Sequence, residues 1–188
     1  MPNHEFDTID LLLSSDAPTR AVDAFALAVI KIERQFRKIF TNLVYQAECY
    51  GSEDIPKLRD ALSSNTKIYF SQIEACFNAL SAISTKEIIG KDYERLTTRL
   101  QEAIGYRNKI FHGQLTQKNL SASDLEQLIA DLRLWSELLG NGAEQYFGYD
   151  GIKRNSFQKS ALPDIHKVIK IKLTSIQDYV DLLKAHQR

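Results

Sequence analysis

The strongest structural pattern in this chain lies in residues 18–50, PTRAVDAFALAVIKIERQFRKIFTNLVYQAECY. Its apolar residues recur at intervals of three and four, which is the period of one face of an α-helix. Asp16 and Pro18 stand at its beginning, where a capping residue and a proline are typical of a helix start. The apolar face consists of Val22, Phe25, Ala26, Val29, Ile32, Phe36, Ile39, Phe40, Leu43 and Val44. We therefore expect one long amphipathic helix that ends near Tyr50.

Three further helical patterns follow between residues 52 and 111. Pro56 can open a short helix, and a second strong pattern covers residues 68–83. A third pattern runs from Thr85 to Phe111, and Arg107 occupies a position in its apolar seam. Because the connections are short, we expect an all-α fold with four to five helices in an up-and-down bundle.

A fourth long helix is predicted after residue 120. Ser123 and Glu126 have the spacing of a capping box, in which each side chain binds the backbone N–H of the other residue. The helical period continues through Leu139, and we expect the glycines at residues 140–142 to stop the helix.

Beyond that stop the pattern weakens, and residues 141–188 are expected to form a C-terminal extension. From Ile169 to Leu173 the chain alternates apolar and basic side chains, which favours a short strand or extended segment within residues 166–173 over the competing helix. Ser175 and Asp178 then offer the cap of a closing helix.

Length and composition restrict the class of protein. The chain has 188 residues with 24 basic and 24 acidic side chains, so its formal net charge at pH 7 is zero. This length predicts a single domain over residues 1–188, with a flexible N-terminus at residues 1–15. The sequence shows no signal-peptide pattern and no long apolar run, so we expect a cytoplasmic protein without a membrane partner.

The balanced charge removes the most general sign of nucleic-acid binding, which is a basic domain. A phosphate-binding surface would then have to be local. The first long helix carries a cationic cluster that includes Arg34 and Lys38, and we take these residues, with Lys109, as candidates for substrate binding. Cys49 and Cys76 lack the spacing of a zinc site or a disulfide framework, so no metal is expected.

One segment combines side chains that could act on a phosphodiester without a metal: Arg107-Asn108-Lys109-Ile110-Phe111-His112-Gly113. The sequence lacks a phosphate-binding loop, a dinucleotide fingerprint, metal-ligand spacing and a nucleophilic serine motif. On a helix, Asn108 and His112 share a face, whereas Arg107 and His112 point about 140° apart. Either a turn before His112 swings the imidazole around, or a second copy of the segment completes the site. In a competing interpretation, the cations merely complement the helix dipole and Gly113 ends the helix.

The order Arg107-Asn108, three residues and His112, at the end of a helix in an all-α chain, resembles the RX4-6H motif of the HEPN superfamily. Gly105-Tyr106 before it and Gly113 after it are also similar to that pattern. The resemblance implies a homodimeric, metal-independent endoribonuclease without a cofactor, of a kind that often serves as a toxin or in defence against phage. It assigns His112 as general acid or base, Arg107 as phosphate clamp and Asn108 as a positioning group.

The resemblance also implies the partners: RNA, a second copy of the chain, and an antitoxin or another defence protein. In superfamily toxins that a nucleotidyltransferase antitoxin silences, a tyrosine stands two residues after the histidine. Here that position is Gln114, so control by adenylylation is not expected. Because other members of the superfamily have lost catalysis, the alternative is a non-catalytic helical module that binds a nucleotide, an RNA or a protein.

Overall fold

The computed structural model describes residues 4–64, 69–114 and 120–186. The fold is 72% helical and contains no β-strand within these ranges, so the expected all-α class is confirmed. The helices are α1 (Asp7–Leu13), α2 (Arg20–Tyr45), α3 (Ile55–Ser63), α4 (Phe70–Leu80), α5 (Thr85–Ile89), α6 (Tyr93–Phe111), α7 (Ala122–Phe147) and α8 (Ile176–Ala185). Shorter 3₁₀ turns cover His4–Phe6, Ser52–Asp54, Gly90–Asp92 and Ile165–Val168.

The chain divides into two compact units. The first consists of Met1–Arg34 and Ile89–Leu138, and the second consists of Gln35–Ile88 and Leu139–Arg188. Helices α2, α5 and α7 therefore contribute residues to both units. From the chain length we predict one domain. Length carries no information on how contacts group along the chain, so it cannot predict this division into two units.

The N-terminal segment is packed into the first unit. The sequence predicts a flexible stretch at residues 1–15, whereas its described part, residues 4–15, contains a 3₁₀ turn and α1, with Phe6 and Ile9 buried. The Arg133 guanidinium lies 4.7 Å from the Phe6 ring centroid and also pairs with the Asp10 carboxylate. Asp10 and Arg133 are 123 residues apart in sequence, so no local pattern reveals this anchor.

The third predicted helix is divided at the turn Gly90–Asp92, which separates α5 from α6. Gly90 has a φ of 74°, in the left-handed region that residues with a side chain rarely adopt. The sequence pattern misses this break because its apolar period continues across the turn. The predicted seam of α6 is nevertheless correct, since Leu96, Leu100 and Ala103 are buried.

Helix α7 begins two residues earlier than the sequence predicts. Ser121 caps it: the Ser121 hydroxyl accepts a hydrogen bond from the Asp124 N–H at 3.2 Å, and the Asp124 carboxylate accepts one from the Ser121 N–H at 2.9 Å. The predicted cap at Ser123 and Glu126 is therefore wrong. The same spacing of a hydroxyl and a carboxylate occurs twice in this stretch, and the earlier pair forms the cap.

The predicted stop at residues 140–142 is also wrong, because α7 continues through both glycines to Phe147. A glycine ends a helix when it adopts the left-handed conformation, which Gly148 does with a φ of 70° and Gly142 does not. A Cβ atom at residue 142 would lie 2.7 Å from Ile88 Cγ2 and 3.0 Å from the Ile88 carbonyl oxygen. Gly142 thus allows close packing within the second unit.

The segment that follows α7 is built into the second unit. Amide side chains of α2, all buried, hold its backbone carbonyls: Gln35 Nε2 donates to Asp150 O at 3.0 Å, Asn42 Nδ2 to Ser156 O at 2.8 Å, and Gln46 Nε2 to Gln158 O at 3.1 Å. Tyr149 and Tyr179 are fully buried. The predicted extension at residues 141–188 therefore contributes buried residues to the second unit, as far as residue 186, where the described range ends.

Lys159 closes the C-terminal end of α2. That helix ends at Tyr45, before the predicted end near Tyr50. The Lys159 ammonium donates to the carbonyl oxygens of Tyr45 at 2.6 Å and Ala47 at 2.8 Å. The last carbonyls of a helix lack partners within the helix and attract cations. Burial lowers the pKa of Lys159, and the loop supplies the charge that the helix end requires.

The segment at residues 166–173 is neither a strand nor an α-helix. A 3₁₀ turn is followed by a single antiparallel bridge between Ser81 and Ile169, in which the Lys170 N–H donates to Leu80 O at 2.7 Å. The extended form is therefore limited to one bridge. The predicted cap of the closing helix is confirmed, because Ser175 and Asp178 form a capping box at the start of α8.

We expect Gly142→Ala to lower the free energy of unfolding by about 1–3 kcal/mol, because the added methyl group collides with Ile88. The matched control is Gly105→Ala in α6, where a Cβ atom meets nothing within 4 Å. Alanine there should raise the free energy of unfolding by about 0.5–1 kcal/mol through its better helix propensity. Urea denaturation followed by circular dichroism measures both; equal effects at the two positions would contradict the packing role of Gly142.

Candidate functional site at the end of helix α6

The motif segment ends α6 with a Schellman motif. The Gln114 N–H donates to Lys109 O at 2.8 Å, the Gly113 N–H donates to Ile110 O at 3.0 Å, and Gly113 has a φ of 62°. The His112 N–H still donates to Asn108 O at 3.1 Å, which is the α-helical bond. His112 therefore continues the helical path, and the turn comes only after it.

This geometry separates the motif side chains on one copy of the chain. Because His112 remains on the helical path, its Cβ direction lies about 140° around the helix axis from that of Arg107. Asn108 and His112 are both exposed and share a face. Of the two arrangements considered from the sequence, a turn that brings the imidazole to the guanidinium is absent from this segment.

Arg107 has an ionic partner within its own chain. Its Nη2 donates to both carboxylate oxygens of Glu33 in α2, at 2.7 and 2.8 Å. The two side chains are only 16% and 24% exposed. The seam position of Arg107 is therefore explained within the chain, because the Glu33 carboxylate compensates the charge of the guanidinium.

The guanidinium has an unmet donor within the described ranges. Arg107 Nε is buried and has no hydrogen-bond partner among the described residues. A buried donor without an acceptor costs about 1–3 kcal/mol. Glu33 thus holds the guanidinium in place, while its Nε lacks an acceptor within the described ranges.

The three candidates for substrate binding differ in their surroundings. Arg34 is exposed and follows Glu33 directly in the first unit, and Lys109 is half-buried in α6. Lys38 belongs to the second unit, where its ammonium donates to Ile152 O at 3.3 Å and lies 5.9 Å from the Tyr149 ring centroid. Lys38 is thus engaged in holding the loop after α7, which its place in a cationic cluster did not predict.

Two residues of the site are not found by the sequence reasoning. Glu33 is one. It lies four residues after Val29 and three before Phe36, at the border of an apolar helix face. A carboxylate in such a position needs a cation, and this signal could have identified it. Phe111 is the other. It is 57% exposed, and the Arg107 guanidinium carbon lies 5.8 Å from its ring centroid.

No protein-family model, curated protein or solved structure matches this chain. Within the three described ranges, no group of three or more His, Cys, Asp and Glu side chains is placed to hold a metal ion. None of the helices in the described part of the chain combines the length and apolar character that crossing a membrane requires.

We expect Glu33→Gln to lower the free energy of unfolding by about 1–2 kcal/mol, because it removes a charged acceptor from a mostly buried guanidinium. The matched control is Asp10→Asn, which weakens the pair with Arg133, where both side chains are 42–53% exposed. Exposed pairs contribute little, so this change should cost about 0.5 kcal/mol or less. Urea denaturation compares the two, and a Glu33 effect no larger than the Asp10 effect would contradict a stabilising role for the pair.

Proposed function

We propose that this chain is a metal-independent endoribonuclease that works as a homodimer in the cytoplasm, of the type that its resemblance to the HEPN superfamily implies. The observation that carries the proposal is the arrangement at the end of α6. One short segment exposes the His112 imidazole and the Asn108 amide, while Glu33 holds the Arg107 guanidinium with its Nε donor unmet. These are the groups that phosphodiester cleavage needs.

The proposed reaction is attack by the ribose 2′-oxygen on the adjacent phosphorus. A neutral His112 imidazole takes the 2′-hydroxyl proton, the new O–P bond forms, and the bond from phosphorus to the 5′-oxygen breaks. A protonated imidazole from the second copy gives its proton to the leaving 5′-oxygen. The products are a 2′,3′-cyclic phosphate and a 5′-hydroxyl, and an imidazole can play both parts because it changes charge near neutral pH.

Arg107 acts on the phosphate in this scheme. Its positive charge stabilises the additional negative charge that develops on the phosphorane oxygens. Glu33 fixes the guanidinium and so limits the reorganisation that catalysis would otherwise require. Asn108 donates a hydrogen bond that positions the phosphate, and Lys109 and Arg34 add charge for the backbone.

A second copy of the chain is part of the proposal for a geometric reason. The Cβ directions of Arg107 and His112 in one copy lie about 140° apart around the helix axis, which opposes directing both side chains at one phosphorus atom. A two-fold axis beside α6 would bring the guanidinium of each copy toward the imidazole of the other. A role as a toxin or in phage defence, with an antitoxin or another defence protein as partner, belongs to the same proposal.

A non-catalytic binding module is the second candidate, and the ion pair between Glu33 and Arg107 favours it. The carboxylate already neutralises the guanidinium, which weakens its attraction for a phosphate. In this function the same surface would bind a nucleotide, an RNA or a protein without changing it.

We expect the purified chain to cleave mixed single-stranded RNA in excess EDTA and to leave 2′,3′-cyclic phosphate ends. His112→Ala should reduce the rate on the order of 100- to 10,000-fold, since it removes the acid-base group. Arg107→Lys, which keeps the charge but loses the planar guanidinium fork, should also reduce it strongly. The control is His166→Ala, which removes an exposed histidine of the second unit and should leave the rate unchanged.

Gel electrophoresis of labelled RNA measures these rates, with circular dichroism as the check that each variant folds. RNA that is bound but remains intact would contradict the ribonuclease and support the non-catalytic binding module. Sedimentation analysis tests the dimer separately, and a strict monomer at micromolar concentration that still cleaves would refute the two-copy site.

A further inference from the structure

Phe111 is a large aromatic side chain in an unusual place. It is the last residue of α6, directly before His112 and one helical turn after Arg107, and 57% of it is exposed. Its ring lies 5.8 Å from the guanidinium carbon of Arg107. A phenyl ring therefore stands in solvent between the anion-binding and the acid-base groups of the segment.

Other apolar side chains of the first unit are exposed as well, namely Leu11, Ile30 and Leu134. Single exposed apolar residues are normal on protein surfaces and need no explanation. These three are aliphatic, whereas Phe111 offers a π-face. An aromatic face can stack on any nucleobase, because every base has a π-face of its own.

Arg107 supplies a positive charge beside Phe111 that fits a nucleotide, since its guanidinium carbon lies 5.8 Å from the ring centroid. A base stacked on the ring would bring its own sugar and phosphate beside His112, the neighbouring residue. Bases inside a duplex are already stacked on each other and paired, so only an unpaired base can occupy this ring.

We propose that Phe111 is the base-stacking residue of this site and that its ligand is an unpaired nucleobase of single-stranded RNA. The inference deepens the proposed ribonuclease function, on which it rests, by naming the class of RNA that the site accepts. Stacking holds the nucleotide next to the scissile bond and excludes double-stranded RNA.

The test uses a short single-stranded oligonucleotide with 2′-O-methyl riboses, which lacks the attacking hydroxyl and so can be bound by the unaltered chain without cleavage. Phe111→Ala should weaken binding about 5- to 140-fold, which corresponds to the loss of one base–aromatic stack. Phe111→Tyr keeps the ring and should bind within about twofold of the unaltered chain. Leu11→Ala, the control, removes another exposed apolar side chain and should change nothing.

A second arm removes bases from the probe one position at a time. A probe that lacks the base at the stacked position should bind the unaltered chain and the Phe111→Ala protein with equal affinity, because it has no base to stack on the ring. Equal binding of the intact probe to both proteins would overturn the inference. A second result would also overturn the inference. If the Phe111→Ala protein were monomeric in sedimentation and an abasic nucleotide had the same effect on binding at every position of the probe, the ring would be a contact between copies.

These outcomes separate the two proposals. If natural RNA stays intact with the unaltered chain but binding still depends on the ring, the ribonuclease proposal fails and base stacking stands. If RNA is cleaved at the same rate with Phe111→Ala and double-stranded RNA is cleaved equally well, the ribonuclease stands and base stacking fails.

Discussion

A hydrogen-bonding group removed from water is costly without a partner, and polar side chains of α2 meet such groups in each unit. In the second unit, α2 buries the amides of Gln35, Asn42 and Gln46, each of which would cost about 1–3 kcal/mol if its donors were unmet. Backbone carbonyls of residues 150–158 meet them. In the first unit, Glu33 of the same helix meets the guanidinium of Arg107. Polar side chains on the packed face of α2 thus select the segments that pack against it.

The elements that the sequence predicts correctly are those specified by residues close together in the chain. The apolar period of α2 and the capping box of α8 depend on neighbours three or four positions away, and both are present in the structure. The glycines show the limit of this reasoning. Gly90 breaks a predicted helix and Gly142 does not, although the residue type is the same. What differs is the backbone conformation and the proximity of Ile88, and both are properties of the fold.

The candidate site shows the same limit. The residues of the motif and the shared face of Asn108 and His112 follow from sequence and helical geometry. The partner of Arg107 does not, because Glu33 is 74 residues away and belongs to a pattern that predicts only an amphipathic helix. The end of the motif also has a structural role that the functional interpretation does not include. The N–H groups of Gly113 and Gln114 donate the hydrogen bonds that terminate α6.

Because His112 is the C-cap of α6 and its N–H keeps the helical hydrogen bond, the number of residues between arginine and histidine has a geometric meaning. Each residue inserted before the histidine would rotate its imidazole by about 100° around the axis. With six residues between them, arginine and histidine would stand within about 20° of one another, so a single copy could aim both at one ligand. The four residues of this chain place them on different sides. Spacing alone can therefore decide whether such a site is complete in one polypeptide or must be shared by two.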